Sequence, residues 1–446
     1  MSMVEKLLRH KLLGFWSLPV FIIFFIIPQA FFAALGYGDY LSLLILIIAL
    51  VSIGGYLFGG GIALSIFRKR ILHIDGWRSI IFHFLLFLYL FSYLCLYMKY
   101  GGVPFIDMLV RGGNSDLMRA DFYKNQEGVW KVLTYFISIL SKGFLPFAII
   151  ILFCIKRRVS FYLYLFAFTF ISISALEKAP VVFTYIPLLL FTFFNGYKKS
   201  FIMFSFIAVL GFSSVSFVAL GSDLALNGNI QEGPTYLVSS THSESPKHAL
   251  YTPALPATKI NVSLADEKSY QFLFYNLDSG NKVEYLINRL IWIPYVTVYD
   301  TVLYWQENYK GYVFFSVNRY LSMLFGDRFA DLERQVFRFQ FGSGEDTTGN
   351  ANASYMAEAY VGFGFPGIII FSFLIGMIFG GTVRTGVLPF IYSLPVIALG
   401  LISASLLSTL FSGGLIFFVI FVFIFSTRLN PNSANYAPRN EMRSEI

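Results

Sequence analysis

Basic residues that could bind a phosphate group occur in the stretch 111–128. Arg111 and Arg119 lie here, and Tyr123 follows shortly after Arg119. An arginine presents a planar fork of N–H donors that matches a phosphate, and it stays charged at any physiological pH. The stretch therefore predicts a phosphate contact from Arg119. The alternative is a solvated loop whose basic residues only touch lipid phosphates.

A charged pair, Glu177-Lys178, lies between two short apolar runs and directly before Ala179-Pro180. Ionisable side chains held at a membrane are costly and usually mark a functional position. The two residues could instead pair with each other, or extend to the headgroups, and simply mark a turn. Two other short turns predicted on the same side carry no lysine, which favours a function for Lys178.

An aromatic run from 285 to 305 contains a third basic candidate. Arg289 lies in this run, and Trp292 follows it. The arginine could bind an anionic group, or its long side chain could extend to lipid headgroups while its stem stays in apolar surroundings.

Polar groups suited to sugar hydroxyls precede the apolar run that begins at 361. Asn350, Asn352, Glu358 and Tyr360 supply amide, carboxylate and phenol groups within a short distance along the chain. If a helix begins near Ser354, Glu358 falls one turn further on. The alternative is a capped helix start, because asparagine and serine are favoured at the N-cap position.

The sequence lacks the common cofactor and metal signatures. It contains no phosphate-binding P-loop, no dinucleotide-binding glycine motif and no His-Glu-x-x-His pattern. The acidic pair Glu345-Asp346 is an alternative as a divalent-cation site, but its neighbourhood holds no clustered ligands. We therefore expect neither a metal nor a cofactor.

Composition places these candidates in a membrane protein. The chain is 57% hydrophobic and 13% charged, whereas a soluble domain carries about 25% charged residues. The net charge of +8 comes from lysines and arginines at the ends of apolar runs. Such a distribution is typical of membrane orientation, and it argues against nucleic-acid binding.

Ten apolar runs are long enough, or nearly so, to cross a bilayer. A span needs about 20 apolar residues, with a range of roughly 17–25. We predict an all-α polytopic integral membrane protein with about ten transmembrane helices and a large, partly helical outer loop. The predicted spans are 15–36, 41–66, 79–99, 132–155, 159–175, 180–195, 201–220, 361–381, 386–407 and 409–427.

Orientation follows from the basic residues in the short connections. Alternate connections are basic, namely Arg68-Lys69-Arg70, Lys156-Arg157-Arg158, Lys198-Lys199 and Arg384. All of them fall on one side of a ten-span protein, so both termini are expected to be cytoplasmic. Residues 1–220 then hold seven spans and the outer loop 100–131, residues 354–427 hold three spans, and 428–446 form a cytoplasmic tail.

The large outer loop, 221–353, divides into two parts. Residues 222–268 are rich in Ser, Thr, Pro, Gly and Asn and are expected to be flexible, whereas 270–340 are aromatic and patterned. An eleventh span within 285–305 would place Arg289 and Asp300 in the bilayer, at about 2.5–3.5 kcal/mol each. We therefore predict helices at the outer interface, with four of the large aromatic residues of this run at headgroup level. These are Trp292, Tyr295, Tyr299 and Trp305.

Several motifs occur in one order and on one predicted side. They are the turn Gly101-Gly102-Val103-Pro104, Arg119 before an aromatic residue, a Lys-x-Pro turn at 178–180, Arg289 followed by Trp292 and Pro294, and Asn-x-Asn with Glu-x-Tyr-x-x-x-Gly over 350–364. In this conjunction the chain resembles the Wzy-type polymerases, which join lipid-linked oligosaccharide repeat units into O-antigen or capsular polysaccharide. The likeness covers most of the chain.

The resemblance implies a reaction and a set of partners. The donor would be a growing glycan on undecaprenyl diphosphate, and the acceptor a single repeat unit on the same lipid. The chain would lie in the bilayer of the bacterial inner membrane, with its active face periplasmic. A chain-length regulator and a flippase are implied as protein partners, and nucleic acid is not.

The resemblance also implies roles for the candidate residues. Arg119, Lys178 and Arg289 would bind the departing diphosphate, which is the work a divalent metal does in other glycosyl transfers, so a metal-independent transfer is expected. Glu358 is the first candidate for the general base, with Glu177 and Asp121 behind it. The substrate-binding residues would be Arg111, Tyr123, Trp292, Asn350, Asn352 and Tyr360.

Three other classes remain open. An O-antigen ligase uses the same donor but transfers to lipid A core, and we expect it to carry a histidine in the patterned part of the large loop, which this chain lacks. A flippase or transporter of lipid-linked oligosaccharide predicts ionisable residues along the interiors of the spans. A structural or sensory membrane protein is the third alternative. The polymerase hypothesis instead predicts that Arg119, Lys178 and Arg289 converge on one diphosphate.

Overall fold

A computed structural model describes residues 3–111, 115–123, 126–155, 158–177, 179–227, 291–341 and 351–428. These residues are mostly helical. The first half contains α1 (Met3–Phe25), α2 (Ile27–Tyr37), α3 (Tyr40–Ile66), strand β1 (Arg70–Leu72), α4 (Trp77–Tyr100), α5 (Pro104–Arg111), α6 (Ser115–Tyr123), α7 (Gly128–Ile139), a π-helical turn (Leu140–Phe144), α8 (Leu145–Cys154), α9 (Arg158–Ser174), α10 (Ala179–Phe194) and α11 (Lys198–Asn227).

The second half begins after the large loop. It contains α12 (Ile293–Asn308), a 3-10 turn (Phe314–Val317), α13 (Arg319–Phe325), α14 (Leu332–Phe341), α15 (Tyr355–Thr385), α16 (Leu388–Ser403), α17 (Leu406–Leu410), α18 (Leu415–Ile424) and strand β2 (Ser426–Arg428).

Six helical segments among the described residues are long and apolar enough to cross a membrane. They are His10–Gly36, Tyr40–Ile66, Trp77–Tyr100, Gly128–Cys154, Tyr355–Thr385 and Leu406–Ile424. Three further apolar helices are shorter, at Val159–Ser174, Pro180–Phe194 and Leu388–Ser403. The chain is thus an all-α membrane protein, as predicted, whereas the count of ten spans stays a prediction.

The last predicted span has a different shape from the one expected. The apolar pattern predicts a short turn near 407–408 and a continuous helix over 409–427. The structure instead forms the short helix α17 (Leu406–Leu410) and begins α18 only at Leu415, after Gly414. Gly414 adopts a positive φ of 73°, which breaks the helix at a residue that tolerates it. Hydropathy alone does not show such a break, because all these residues are apolar or small.

Close packing of α3 against α15 forms the centre of the bundle. A Cβ atom on Gly59 would lie 2.2 Å from the carbonyl oxygen of Phe373, and one on Gly376 would lie 2.1 Å from that of Tyr56. Glycine is therefore required for the two backbones to approach this closely, as is common between membrane helices. The Ser52 hydroxyl adds a polar contact, 3.0 Å from that of Ser372.

Three of the basic connections meet at one end of the bundle. Strands β1 and β2 pair antiparallel, with Arg70 opposite Arg428. The Nε atom of Arg384 donates to the carbonyl oxygen of Phe67, at 3.1 Å. The loop after α3, the loop after α15 and the end of α18 therefore lie on the same side.

Helix α12 packs against other helices of the protein on several sides. Tyr295 is fully buried, and its hydroxyl lies 2.6 Å from that of Ser42 in the first turn of α3. Val296, Val298 and Val302 are buried too, so protein covers several sides of the helix. The position of Tyr295 at headgroup level stays a prediction. An aromatic residue suits a protein interior as well as a membrane interface, and the sequence does not distinguish the two.

Candidate functional site

Charged and phenolic side chains from four elements meet beside the turn between α9 and α10. They are Tyr93 of α4, Arg119 and Tyr123 of α6, Lys142 of the π-helical turn and Glu177 of the α9–α10 turn. We refer to these five residues as the Glu177 cluster. It lies at or near the ends of α4 and α9 that are remote from the β1–β2 ribbon.

The backbone before Glu177 is held in an uncommon conformation. Leu176 has a φ of 58°, in the left-handed region where glycine is usual and a leucine is strained. The Glu177 amide donates to the Ser172 carbonyl oxygen at 3.0 Å, which closes the end of α9. The Leu176 side chain is buried with Met108 of α5 and packs on Met118 of α6. These contacts fix Leu176 and so orient the carboxylate that follows it.

Lys142 lies inside the apolar segment Gly128–Cys154, where the helix widens into a π-helical turn. Such turns often occur at functional sites, because they displace a side chain from the regular helical position. The neighbouring Gly143 packs against Gly414, since a Cβ on Gly143 would lie 2.4 Å from the Gly414 carbonyl oxygen. The break before α18 therefore leaves room for the turn that carries Lys142.

Helix α6 brings its residues to the cluster through an aromatic contact with α4. Phe122 is fully buried, and its ring centroid lies 5.3 Å from that of Tyr97 and 5.6 Å from that of Tyr100. The Tyr123 hydroxyl donates to the Tyr93 hydroxyl at 3.1 Å. Arg119 lies one turn earlier on the same helix, within electrostatic reach of Glu177.

A second contact closes the C-terminal end of α6. The Gln126 side-chain amide donates to the carbonyl oxygens of Asp121 and Phe122, at 2.8 and 3.0 Å. Lys99 donates to Gln126 at 2.5 Å and lies 5.2 Å above the centre of the Trp130 ring. This network ties α4, α6 and α7 together, so Lys99 stabilises the site without belonging to it.

In the Glu177 cluster a carboxylate that can accept a proton lies beside two cationic side chains. Burial raises the pKa of the Glu177 carboxyl above its usual range, while the charges of Lys142 and Arg119 and the neighbouring hydroxyls of Tyr123 and Tyr93 oppose this effect. Burial and the Glu177 charge raise the pKa of Tyr123, which therefore remains a donor at neutral pH. The cluster can bind an anionic group through its cations and accept a proton at Glu177.

Glu358, the first candidate for a general base, caps a helix. Its Oε2 atom accepts from the backbone amides of Leu406 and Leu407, at 2.6 and 3.4 Å, at the start of α17. The side chain is buried, and its Oε1 atom has no hydrogen-bond partner. Glu358 therefore satisfies the amides that the break between α16 and α17 exposes.

Tyr360 belongs to an aromatic group at the entrance to α15. Its ring packs edge-on against Trp305 of α12, with centroids 5.7 Å apart, and Trp305 stacks on Tyr312 at 5.6 Å. Tyr312 approaches Gly364, where a Cβ would lie only 2.7 Å from the tyrosine hydroxyl. Gly364 has a φ of 68° and kinks α15. Ser354 forms the N-cap of this helix, in agreement with the alternative of a capped helix start.

The structure brings together part of the predicted site. Arg119 and Tyr123 lie in the Glu177 cluster, whereas Trp292 packs on Tyr295, with ring centroids 6.3 Å apart. Asn352 is exposed before α15. Four predicted positions fall outside the described residues or side chains, so the convergence of the three cations stays a prediction. These are Arg111, Lys178, Arg289 and Asn350.

Lys142 belongs to the Glu177 cluster but is not among the site residues predicted from the sequence. A lone lysine inside a predicted span is itself a signal of function, because an unpaired charge is costly at that depth. The predicted span 132–155 contains Lys142. No protein-family model, curated protein or solved structure matches the chain in the comparisons made.

Proposed function

We propose that the chain is a glycosyltransferase that polymerises undecaprenyl-diphosphate-linked oligosaccharide repeat units in a bacterial inner membrane, on the periplasmic face. The observation that carries this proposal is the Glu177 cluster, in which Arg119 and Lys142 adjoin a carboxylate with a raised pKa. The resemblance of the sequence motifs supplies the substrate class. A lipid-linked substrate also suits a site built between apolar helices.

The proposed reaction joins two lipid-linked glycans. A hydroxyl oxygen of the acceptor unit attacks the anomeric carbon of the donor, a new C–O bond forms, and the bond from that carbon to the diphosphate breaks. The hydroxyl proton passes to the Glu177 carboxylate. Undecaprenyl diphosphate leaves with the bonding electron pair, and Arg119 and Lys142 stabilise the negative charge that develops on it.

Glu177 suits the base better than Glu358 does. A general base is most effective when its pKa lies near the working pH, and burial shifts Glu177 in that direction. Glu358 instead uses one carboxylate oxygen to cap α17. In this assignment Tyr93 and Tyr123 orient the Glu177 carboxylate, and Lys178 and Arg289 remain proposed diphosphate contacts by resemblance.

Polysaccharide length in cells tests the proposal. Cells that lack the gene are complemented with wild type, Arg119→Ala, Lys142→Ala or Glu177→Gln, and the polysaccharide is separated by gel electrophoresis. We expect each variant to shorten or abolish the ladder while immunoblots show normal protein in the membrane. Lys131→Ala, which removes an exposed lysine from α7, is the matched control and should give a wild-type ladder. Wild-type ladders from all three cluster variants would refute the site.

A transporter of lipid-linked oligosaccharide is the second candidate, and Lys142 favours it. This lysine lies within a segment long enough to span the membrane, as expected for a polar path through the bilayer. The purified protein in vesicles, supplied with lipid-linked repeat units extracted from the gene-deleted cells, separates the functions. A polymerase yields longer lipid-linked products without lipid A, a ligase requires lipid A core, and a transporter moves the units without lengthening them.

A further inference from the structure

Three arginines meet at the end of the bundle that is remote from the Glu177 cluster. Arg70 lies on β1, Arg428 lies opposite it on β2, and Arg78 lies in the first turn of α4. Arg428 and Arg78 are both within electrostatic reach of Arg70. We call these residues the arginine triad.

Arg70 is held firmly by the end of α18 and the start of β2. Its Nε atom donates to the Ser426 hydroxyl at 2.7 Å, and its Nη2 atom donates to the Ser426 carbonyl oxygen at 2.8 Å. The guanidinium carbon lies 4.9 Å above the centre of the Phe423 ring. The position of this charge is therefore fixed before any ligand binds.

The arrangement concentrates positive charge. Like charges on directly opposite residues destabilise a pair of strands, as do cations in the first turn of a helix. Burial and the charges of Arg428 and Arg78 lower the pKa of Arg70. Asp75 is close to the triad along the chain, and its Oδ2 atom lies 3.5 Å from Nδ1 of His73. An anion bound here would offset the repulsion.

Arg78 supplies an independent indication of a ligand. Its Nε and Nη1 atoms are buried and have no hydrogen-bond partner in the described structure. Its guanidinium carbon lies 5.4 Å above the centre of the Trp77 ring, which orients the group. Buried donors are normally satisfied, so unpaired donors beside two other guanidinium groups indicate an acceptor that binds there.

The surroundings of the triad indicate a lipid as the source of that acceptor. Ile71, Trp77 and Ile80 are 46, 57 and 71% exposed, so large apolar side chains flank the arginines at the end of a membrane-spanning helix. We propose that the arginine triad is a binding site for the phosphate headgroup of an anionic membrane phospholipid. The exposed apolar side chains contact its acyl chains, and the arginines bind the phosphate. The proposal does not depend on the glycosyltransferase function.

Native mass spectrometry of the full chain in detergent tests the site. Phosphatidylglycerol and phosphatidylcholine with the same acyl chains are added in turn, and bound lipid is counted. We expect Arg78→Gln and Arg428→Gln to weaken phosphatidylglycerol binding about tenfold, as loss of a charge-assisted hydrogen bond implies. Lys69→Gln, an exposed lysine in the same loop, removes the same charge and should change binding less than about twofold.

Stability without lipid distinguishes a ligand site from a structural cluster. Because the arginines repel each other, Arg78→Gln in lipid-free detergent should melt at the same temperature as wild type or higher, and added phosphatidylglycerol should raise the melting temperature of wild type alone. Equal binding of the two lipids, equal loss in Lys69→Gln and Arg78→Gln, or lower lipid-free stability of Arg78→Gln with unchanged lipid binding would each overturn the proposal. Displacement of the lipid by millimolar inorganic phosphate would assign the site to free phosphate instead.

Discussion

Lys142 and Glu177 lie within electrostatic reach of each other, although one belongs to a π-helical turn in an apolar segment and the other to a turn between two shorter helices. The Lys142 ammonium and the Glu177 carboxylate stabilise each other's charge where burial removes water. Arg119 adds a second cation to Glu177. The Lys142–Glu177 pair should therefore affect both the stability of the protein and polymerisation. Mutations can separate these two effects.

Removing Lys142 alone should leave Glu177 without a cation that stabilises it. We expect Lys142→Met to destabilise the protein by roughly 1–3 kcal/mol and to abolish the long polymer, since the Glu177 carboxylate then keeps only Arg119 as a cationic partner. The double variant Lys142→Met with Glu177→Gln should recover most of the stability but not the polymer. Thermal unfolding in detergent and gel ladders measure the two effects.

Additivity is the result that would contradict this coupling. If the stability losses of the two single variants simply sum in the double variant, Lys142 and Glu177 do not interact. The exposed Lys131→Ala variant controls for general loss of positive charge.

The pH dependence of polymerisation should report Glu177. A base must be deprotonated, so a raised pKa places the acidic limb of the rate profile at a higher pH than an ordinary carboxyl would. Arg119 lowers the pKa of Glu177, so Arg119→Ala should move that limb to still higher pH and reduce the maximal rate. Initial rates from about pH 5 to 9, with kcat and KM determined separately, test both effects. A limb that stays in place or moves to lower pH would exclude Glu177 as the base.

The positions of several helices could be predicted from the sequence, but the contacts between residues far apart along the chain could not. Hydropathy located α3, α4 and α15, and cap chemistry located Ser354, because these signals are local. The contact of Glu358 with the Leu406 amide joins positions 48 residues apart, and no local pattern encodes it. The burial of Tyr295 likewise depends on Ser42 in a distant helix. Arg119 and Tyr123 are close along the chain and lie together in the Glu177 cluster, and their function stays a prediction.

Two substitutions at Glu358 distinguish a cap from a base. Glu358→Gln keeps a carbonyl oxygen that can accept from the Leu406 amide and removes the buried charge, so we expect near wild-type stability and an intact ladder. Glu358→Ala leaves the amides of α17 without a partner and should cost about 1–2 kcal/mol. Loss of polymer in Glu358→Gln at full protein level and stability would restore Glu358 as the catalytic base.

The α3–α15 contact should not tolerate a single methyl group. In Gly376→Ala the new Cβ would lie 2.1 Å from the Tyr56 carbonyl oxygen, and the helices would have to separate. We expect a loss of roughly 1–3 kcal/mol. Gly54→Ala is the matched control, because nothing lies within 4 Å of its new Cβ. There the better helix propensity of alanine should leave stability unchanged or raise it by up to about 1 kcal/mol. Equal melting temperatures for the two variants would contradict the close approach.

Stability should also fall with rising pH because of Glu333 in α14. Burial, with a smaller effect of the Asp331 charge, raises the pKa of Glu333 from 4.5 to about 7. The folded state then binds a proton more tightly than the unfolded state does, so this group's contribution is fully present below about pH 4.5 and is lost as the pH rises through 7. Full burial would make the loss about 3 kcal/mol, and solvent access to the side chain reduces it.

Glu333→Gln removes the titratable carboxyl group and should abolish the loss of stability with rising pH. The melting temperatures of wild type and variant should agree near pH 4.5 and diverge as the pH approaches 7, with the variant higher, because glutamine remains neutral throughout. Thermal unfolding in detergent at a series of pH values gives the difference curve, in which the other carboxyl groups cancel. A constant difference, or a variant that loses stability relative to wild type as the pH rises, would show that Glu333 is not held neutral in the folded protein.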